Sequence, residues 1–322
     1  MESLLRVINL RTYFFTLAGV VKAVEGVSFD LGPGDTLGIV GESGCGKSVT
    51  ARSIMRILPQ PPGRIVGGSI MFKGQELISL PEREIGKIRG SRIAMIYQEP
   101  MTALNPAFSV GDQISEVFRV HQGLRKKEAI EKSLQLLDQV DIPSPKNRVN
   151  DYPHQLSGGM KQRIVIAMAI ACSPDILIAD EPTTSLDVTV QAQILDLIVN
   201  FKERLGMSLL LISHDLGVVA NMVNRMLVMY AGSVVESAYT KDIFGNPSHP
   251  YTRGLFGCIP KIGRKSDKLE EIPGVVPNLL RMPPGCKFAN RCPKVMNRCR
   301  AEEPSLLRVG HEHYSRCWLE EE

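Results

Sequence analysis

Gly41-Glu-Ser-Gly-Cys-Gly-Lys-Ser48 stands between a short apolar stretch, Thr36-Leu-Gly-Ile-Val40, and a segment, Ser48 to Leu58, with helical spacing of its apolar residues. Strand, glycine turn and helix with the spacing G-x4-G-K-S/T form the context a phosphate loop requires. The glycines let successive N–H groups turn inward as an anion-binding nest at a helix N-terminus. Lys47 then reaches the β- and γ-phosphates, and the Ser48 hydroxyl offers an oxygen to Mg²⁺. We take Gly41, Ser43, Gly44, Cys45, Gly46, Lys47, Ser48 and Val49 as the nucleotide-binding residues of this stretch. A plain glycine turn before a helix would not need the Lys-Ser pair at its end.

Downstream, Ile176-Leu-Ile-Ala-Asp180-Glu181 is a buried strand that ends in two carboxylates. Parallel strands present their carboxyl ends to the ligand crevice. Asp180 can there orient Mg²⁺, and Glu181 can polarise the water that attacks a γ-phosphate. Alone such a pair has little specificity, because strands commonly end in acidic turns. Its company is Leu156-Ser-Gly-Gly-Met-Lys-Gln162, just before a helix. Ser157, Gly158 and Gly159 offer a second anion site at that helix start, with a plain serine N-cap as the simpler alternative.

Around these motifs the chain alternates. Helix Met160 to Ala171, strand Ile176 to Ala179, helix Val188 to Leu205, strand Ser208 to Ile212, helix Leu216 to Met222 and strand Arg225 to Met229 follow one another with short connections. That order predicts an α/β fold with a parallel sheet, and Gly206 ends the longest helix as its C-cap. Residues 111 to 140 repeat apolar positions at three and four and predict a helical block. Two further strands are expected at Leu4 to Leu10 and Val20 to Leu31, and another at Ile93 to Tyr97, while Pro61, Pro62 and Gly63 read as loop.

At 322 residues the chain buries enough surface to stand without disulfides. With 43% apolar and 22% charged residues it reads as a globular protein, neither fibrous nor disordered. Its longest apolar stretch, Ile164 to Cys172, is too short to span a bilayer. The N-terminus lacks the apolar block of a secretory signal, so a cytoplasmic placement is expected. A formal charge of +4 is too slight to imply nucleic-acid binding. The charge is uneven, however: Arg281, Lys287, Arg291, Lys294, Arg298 and Arg300 fall within 281–300, with no acidic residue among them.

The order phosphate loop, Gln98, Leu156–Gln162, Asp180-Glu181-Pro182, Ser185-Leu-Asp187 and His214 resembles the ATP-binding subunit of ABC transporters. The resemblance covers residues 1 to about 240 and implies a P-loop NTPase fold with an inserted helical subdomain at about 100–170. It further implies ATP hydrolysis in a head-to-tail pair of subunits, homo- or heterodimeric, each ATP held between one phosphate loop and the partner's Ser157-Gly-Gly. By the same resemblance, Gln98 senses Mg²⁺ and contacts the membrane subunits through Gln98 to Phe108. His214 contacts the γ-phosphate, Glu181 is the catalytic base and Asp187 links the two sites. Phe14, or its neighbour Tyr13, takes the place of the adenine-stacking aromatic.

Beyond residue 240 the texture changes, with seven prolines between Pro247 and Pro284. A loop-rich module held by something other than an apolar core is expected. Cys286, Cys292, Cys299 and Cys317 are separated by five, six and seventeen residues. In a cytosolic chain four thiolates suggest zinc or an iron–sulfur cluster, and the spacing decides neither. His311 and His313 are possible zinc substitutes, and the neighbouring basic residues could offset a cluster's charge or face acidic lipid. Cys45, Cys172 and Cys258 are scattered and read as packing residues.

Asn246-Pro-Ser-His-Pro-Tyr-Thr-Arg-Gly-Leu255, Ile272-Pro-Gly-Val-Val-Pro277 and Gly285-Cys-Lys-Phe-Ala-Asn-Arg-Cys292 resemble the C-terminal extension of the oligopeptide and dipeptide importers' ATP-binding subunits. That narrower resemblance implies a 4Fe–4S cluster on the four cysteines, with zinc the alternative. It also implies a peripheral subunit on the cytoplasmic face of the membrane. Its partners would be two permease subunits and, indirectly, an extracytoplasmic peptide-binding protein. Nickel and glutathione importers are close alternatives. A soluble ABC ATPase of repair or translation is the more distant one, disfavoured by a single phosphate loop in the chain.

Overall fold

The computed structural model describes residues 3–98, 103–184, 186–258 and 272–321. Its strands, in chain order, are β1 (Leu5–Thr16), β2 (Gly19–Leu31), β3 (Thr36–Val40), β4 (Gly63–Phe72), β5 (Gln75–Glu76) and β6 (Ile93–Ile96). They continue with β7 (Ile176–Asp180), β8 (Ser208–Ile212), β9 (Arg225–Tyr230), β10 (Ser233–Tyr239), β11 (Leu307–Gly310) and β12 (His313–Ser315). The chain divides into two compact units. One comprises residues 1–31, 36–78 and 212–322, the other 32–35 and 79–211.

In the first unit β1 is the centre of an antiparallel sheet in the order β2-β1-β4-β5. Paired on both edges, β1 runs to Thr16 rather than ending at Leu10 as expected. β4 occupies a stretch whose opening glycine reads as loop in the sequence. Its register, Leu5 opposite Phe72 and Phe14 opposite Gly63, is set by β1 and not by local preference. The same unit carries the order β11-β12-β10-β9-β3, in which β3 and β9 are parallel. The helix Lys47–Ile54 follows β3, and the Thr12 and Ser53 hydroxyls share a buried hydrogen bond of 2.8 Å that ties it to β1.

In the second unit β6 and β7 are parallel. Ile176, Leu177, Ile178 and Ala179 of β7 are all fully buried, each large side chain contributing roughly 2 kcal/mol. Helices Val110–Gln122 and Lys126–Gln139 form the expected helical block. Ser109 caps the first by accepting from Asp112 N–H, and Gly123 ends it in the left-handed conformation. Helix Gly158–Ile170 is apolar around much of its circumference and correspondingly buried. Helix Val188–Leu205 begins on Asp187, whose carboxylate accepts from Val190 N–H, and stops at Gly206 with φ 65°. Among the described residues no helix is long and apolar enough to cross a membrane.

The segment after residue 240 has more packing than its prolines suggest. Ala289, Cys299 and Trp318 form a small buried cluster against Cys286, Val295 and Met296. Tyr230, Tyr251 and Phe288 meet ring to ring, with centroids 4.6–5.4 Å apart. β12 extends the sheet by pairing with β10. The fully buried Glu236 of β10 accepts from the Ser248 and His249 N–H groups and meets His313 Nε2 at 2.7 Å. An apolar and aromatic core therefore contributes to holding the extension, contrary to the expectation from its composition.

Candidate functional site

The phosphate loop is shaped by backbone that only glycine accepts. Gly41 has φ 149°, and a Cβ there would lie 2.2 Å from the Met229 carbonyl oxygen. Gly46, with φ 105°, caps the helix Lys47–Ile54, and a Cβ there would lie 2.3 Å from the Ala23 carbonyl oxygen. The Cys45 carbonyl accepts from Gly232 N–H at 2.9 Å, so the β9–β10 turn holds the loop from beneath. Cys45 is buried and burial pushes its thiol upward, which makes it a packing group. Ser43 and Gly44 are exposed at the mouth of the loop, and Ser48 and Val49 are half-buried in the first helical turn. The Lys47 ammonium is folded into the loop, donating to the Gly41 and Glu42 carbonyls at 2.7 and 3.1 Å.

Two expected site residues 83 positions apart meet in the second unit: Gln98 Nε2 donates to Glu181 Oε2 at 3.0 Å. Thr184 Oγ1 donates to the same oxygen, also at 3.0 Å. Glu181 has φ 48°, a left-handed conformation that a non-glycine residue keeps only where its surroundings impose it. Asp180, at the end of β7, is fully buried. The carboxylate of Glu181 thus has its orientation set by two donors and its backbone. Nothing in the sequence singles out Thr184 beyond its place one turn past the acidic pair.

Ser157 caps its helix, accepting from Met160 N–H at 3.3 Å, and both it and Gly158 are exposed. A Cβ on Gly159 would lie 2.9 Å from Val190 Cγ1, so a small residue is needed there for packing. Gln162, buried, donates to the Pro182 carbonyl at 2.6 Å and links this helix to the turn after Glu181. His214 is exposed after β8, and Asp215 beside it caps the next helix. Ser185 lies outside the described residues, as do 99–102 of the Gln98–Phe108 segment. From the described part of that segment Phe108 is 54% exposed. Tyr13 donates its hydroxyl to Glu25 at 2.7 Å, and burial beside that carboxylate pushes its pKa up to about 12. Phe14 packs on Gly63 and is half-buried.

Cys286, Cys292, Cys299 and Cys317 line one small cavity together with His249, Phe288 and Trp318. All four are free thiols, and burial pushes Cys286 and Cys317 up to about 11. The cavity encloses about 10 Å³, and among the described residues no group of three or more His, Cys, Asp or Glu is placed to hold a metal ion. The expected metal-cluster extension is therefore present as a thiol-lined cavity, its donor chemistry suited to a soft metal but its thiols not in ligating positions. His311 and His313 do not line it. His249 does: burial pushes its pKa down to about 3, and its neutral Nδ1 accepts from Tyr251 N–H at 3.1 Å.

The basic run is not one positive surface. Arg298 pairs with Glu302 and Glu321. Lys287 is mostly buried, with Glu303 at 3.8 Å. Arg291 reaches back to the phosphate loop and grips Glu42 with two nitrogens, at 2.6 and 3.0 Å. That contact spans 249 positions and has no local sequence signal.

Residues 24–184 match the family model for the ABC transporter, and residues 235–299 that for the oligopeptide/dipeptide transporter C-terminal region. The chain is 52% identical over its whole length to a probable peptide ABC transporter ATP-binding protein of Sinorhizobium fredii, covering 96% of that protein. It is 51% identical, again over its whole length and 96% of the relative, to the dipeptide transport ATP-binding protein DppD of Bacillus subtilis. Among solved structures, cbiO1 from Clostridium perfringens, part of the ABC transporter complex cbiONQ, matches with TM-score 0.64 at 27% identity, over 76% of this chain and 92% of that one. The cassette MJ0796 shares the fold with TM-score 0.66 at 24% identity, over 73% of this chain and 98% of that one. The chain belongs to the ABC transporter family: it is an ATPase that carries the family's ATP-binding cassette together with the C-terminal region of the oligopeptide/dipeptide transporters.

Proposed function

We propose that this chain is the ATP-hydrolysing subunit of a peptide importer, working as one of two cassettes against two membrane permeases on the cytoplasmic face. The observation that carries the peptide assignment is full-length similarity to peptide and dipeptide transport ATP-binding proteins, extension included. Residues 1–240 are the cassette, with its helical subdomain at about 100–170, and 241–322 the extension. Lys47 and the N–H groups of Gly41 and Ser43 to Ser48 bind the phosphates, and Phe14 stacks on the adenine. Ser48, Gln98 and Asp180 would hold Mg²⁺, which would neutralise phosphate charge when bound. Glu181 accepts the proton of the attacking water, while His214 contacts the γ-phosphate. Ser157, Gly158 and Gly159 serve the partner's nucleotide, and Asp187 links the paired sites. The exposed Phe108 supports a permease contact in the Gln98–Phe108 segment.

Reconstituted with its permeases and binding protein, the chain is expected to show ATPase activity stimulated several-fold by di- or oligopeptides and accompanied by their uptake. Stimulation by nickel or glutathione alone would overturn the peptide assignment, and activity unaffected by permeases would overturn the transport role.

We further propose that Cys286, Cys292, Cys299 and Cys317 hold a 4Fe–4S cluster, which would staple the extension and supply a one-electron centre. Their convergence on one cavity supports this reading, which requires the four thiols to turn toward one another from where they now lie. Protein purified without oxygen is expected to be brown, with a broad absorption near roughly 400 nm that any one Cys→Ser change abolishes. A colourless protein with stoichiometric zinc would overturn it.

A further inference from the structure

Glu42 is an anomaly within a loop built for anions. It is the second residue of the phosphate loop, and a carboxylate there opposes a bound triphosphate by like-charge repulsion. Its partner is the Arg291 guanidinium, whose side chain is only 5% exposed. The two-nitrogen grip on Glu42 is the planar fork geometry that arginine alone provides.

Arg291 is itself held from several sides. Its Nε donates to the Pro273 carbonyl at 3.0 Å and its Nη2 to the Ile272 carbonyl at 3.2 Å. The guanidinium also lies near the Tyr230 ring, 5.8 Å from its centroid. Its backbone belongs to the tight turn Ala289–Arg291, which is flanked by Cys286 and Cys292. From the helix Pro250–Gly257, the fully buried Tyr251 adds a second hold: its hydroxyl accepts from Glu42 N–H at 2.9 Å. Tyr251 packs on Tyr230 of β9 and on Phe288 of the extension, so this ring cluster fixes where that oxygen lies. The side chain and the backbone of one phosphate-loop residue are thus both gripped from beyond residue 240.

We propose that the C-terminal extension sets the nucleotide affinity of the phosphate loop, with Arg291 as a positioning residue that neutralises Glu42 and, together with Tyr251, fixes the start of the loop. The proposal rests on the nucleotide-binding reading of the loop. It assigns Arg291 a charge role that a simple structural brace does not have. Neutralisation makes the loss of Arg291 reversible by removing the charge it offsets, whereas loss of a brace would not be repaired by a second deletion.

The test is calorimetric titration of MgATP into the full chain and its variants at fixed salt. Arg291→Met is expected to weaken binding about tenfold through the uncompensated carboxylate, and Arg291→Met with Glu42→Gln to recover to within about threefold of the parent. Glu42→Gln alone, which leaves Arg291 in place, is expected to bind about threefold tighter. Parent-like binding by Arg291→Met, or a double variant as weak as Arg291→Met, overturns the proposal. Should Arg291→Met not fold, Glu42→Gln decides alone, and weaker binding by it overturns the charge role. A parent chain that fails to bind MgATP at all would instead remove the nucleotide reading on which the proposal stands.

Discussion

Glu181→Gln is expected to lower ATP turnover by about 100-fold or more while leaving the MgATP dissociation constant within about threefold of the parent. The reason lies in what the substitution preserves. Glu181 Oε2 accepts from Gln98 Nε2 and from Thr184 Oγ1, and an amide oxygen in the same place still accepts from both, though more weakly than a carboxylate. The left-handed backbone at residue 181 is untouched by an isosteric side chain. The negative charge is lost, and with it the capacity to take a proton, while the shape of the site is kept, so binding and cleavage separate. With hydrolysis blocked and binding intact, the nucleotide-bound pair of subunits should accumulate, seen by light scattering when MgATP is added to the variant, alone for a homodimer or with its partner cassette for a heterodimer. Undiminished turnover would take the base role from Glu181. A variant that neither binds nor pairs would show that the carboxylate serves the shape of its surroundings instead.

Lys47→Ala should act at the earlier step, raising the MgATP dissociation constant by about 100-fold or more in the same titration. The Lys47 ammonium is almost wholly buried and held by the Gly41 and Glu42 carbonyls. It thus lies inside the nest that receives phosphate oxygens. Alanine removes that charge and leaves two carbonyls of the loop without their donor, so both attraction and loop shape suffer. A dissociation constant within threefold of the parent, in a variant whose circular dichroism matches, would show that the backbone nest alone carries the affinity. The two variants are expected to be complementary: one binds without cleaving, the other binds far more weakly.

Some elements of this chain announce themselves locally. β3, β8 and the helices Val188–Leu205 and Leu216–Met222 have the bounds expected of them. Asp187 and Gly206 mark the two ends of the longest helix within its own residues. The sequence does not mark β4 or β10, the first because a strand rich in glycine is stabilised by its neighbour and not by its own preferences. The phosphate loop was legible for the opposite reason. Its glycine positions, lysine and serine are all required by a backbone shape that spans eight residues.

What short-range chemistry dictates in this chain is therefore the cassette: a nest needs its glycines, a helix needs its cap, and a buried strand needs an apolar run. Those requirements are satisfied within a few residues and are written in order. Contacts between distant positions have no such record. The meeting of Gln98 with Glu181, the convergence of four unevenly spaced cysteines on one cavity and the grip of Arg291 on Glu42 arise only when folding closes long loops. Arg291 counted in the sequence as one charge among six, and its meaning depends on which carboxylate it faces. Charge pairing falls off steeply with distance, so the arrangement of the folded chain, and not its composition, assigns that partner.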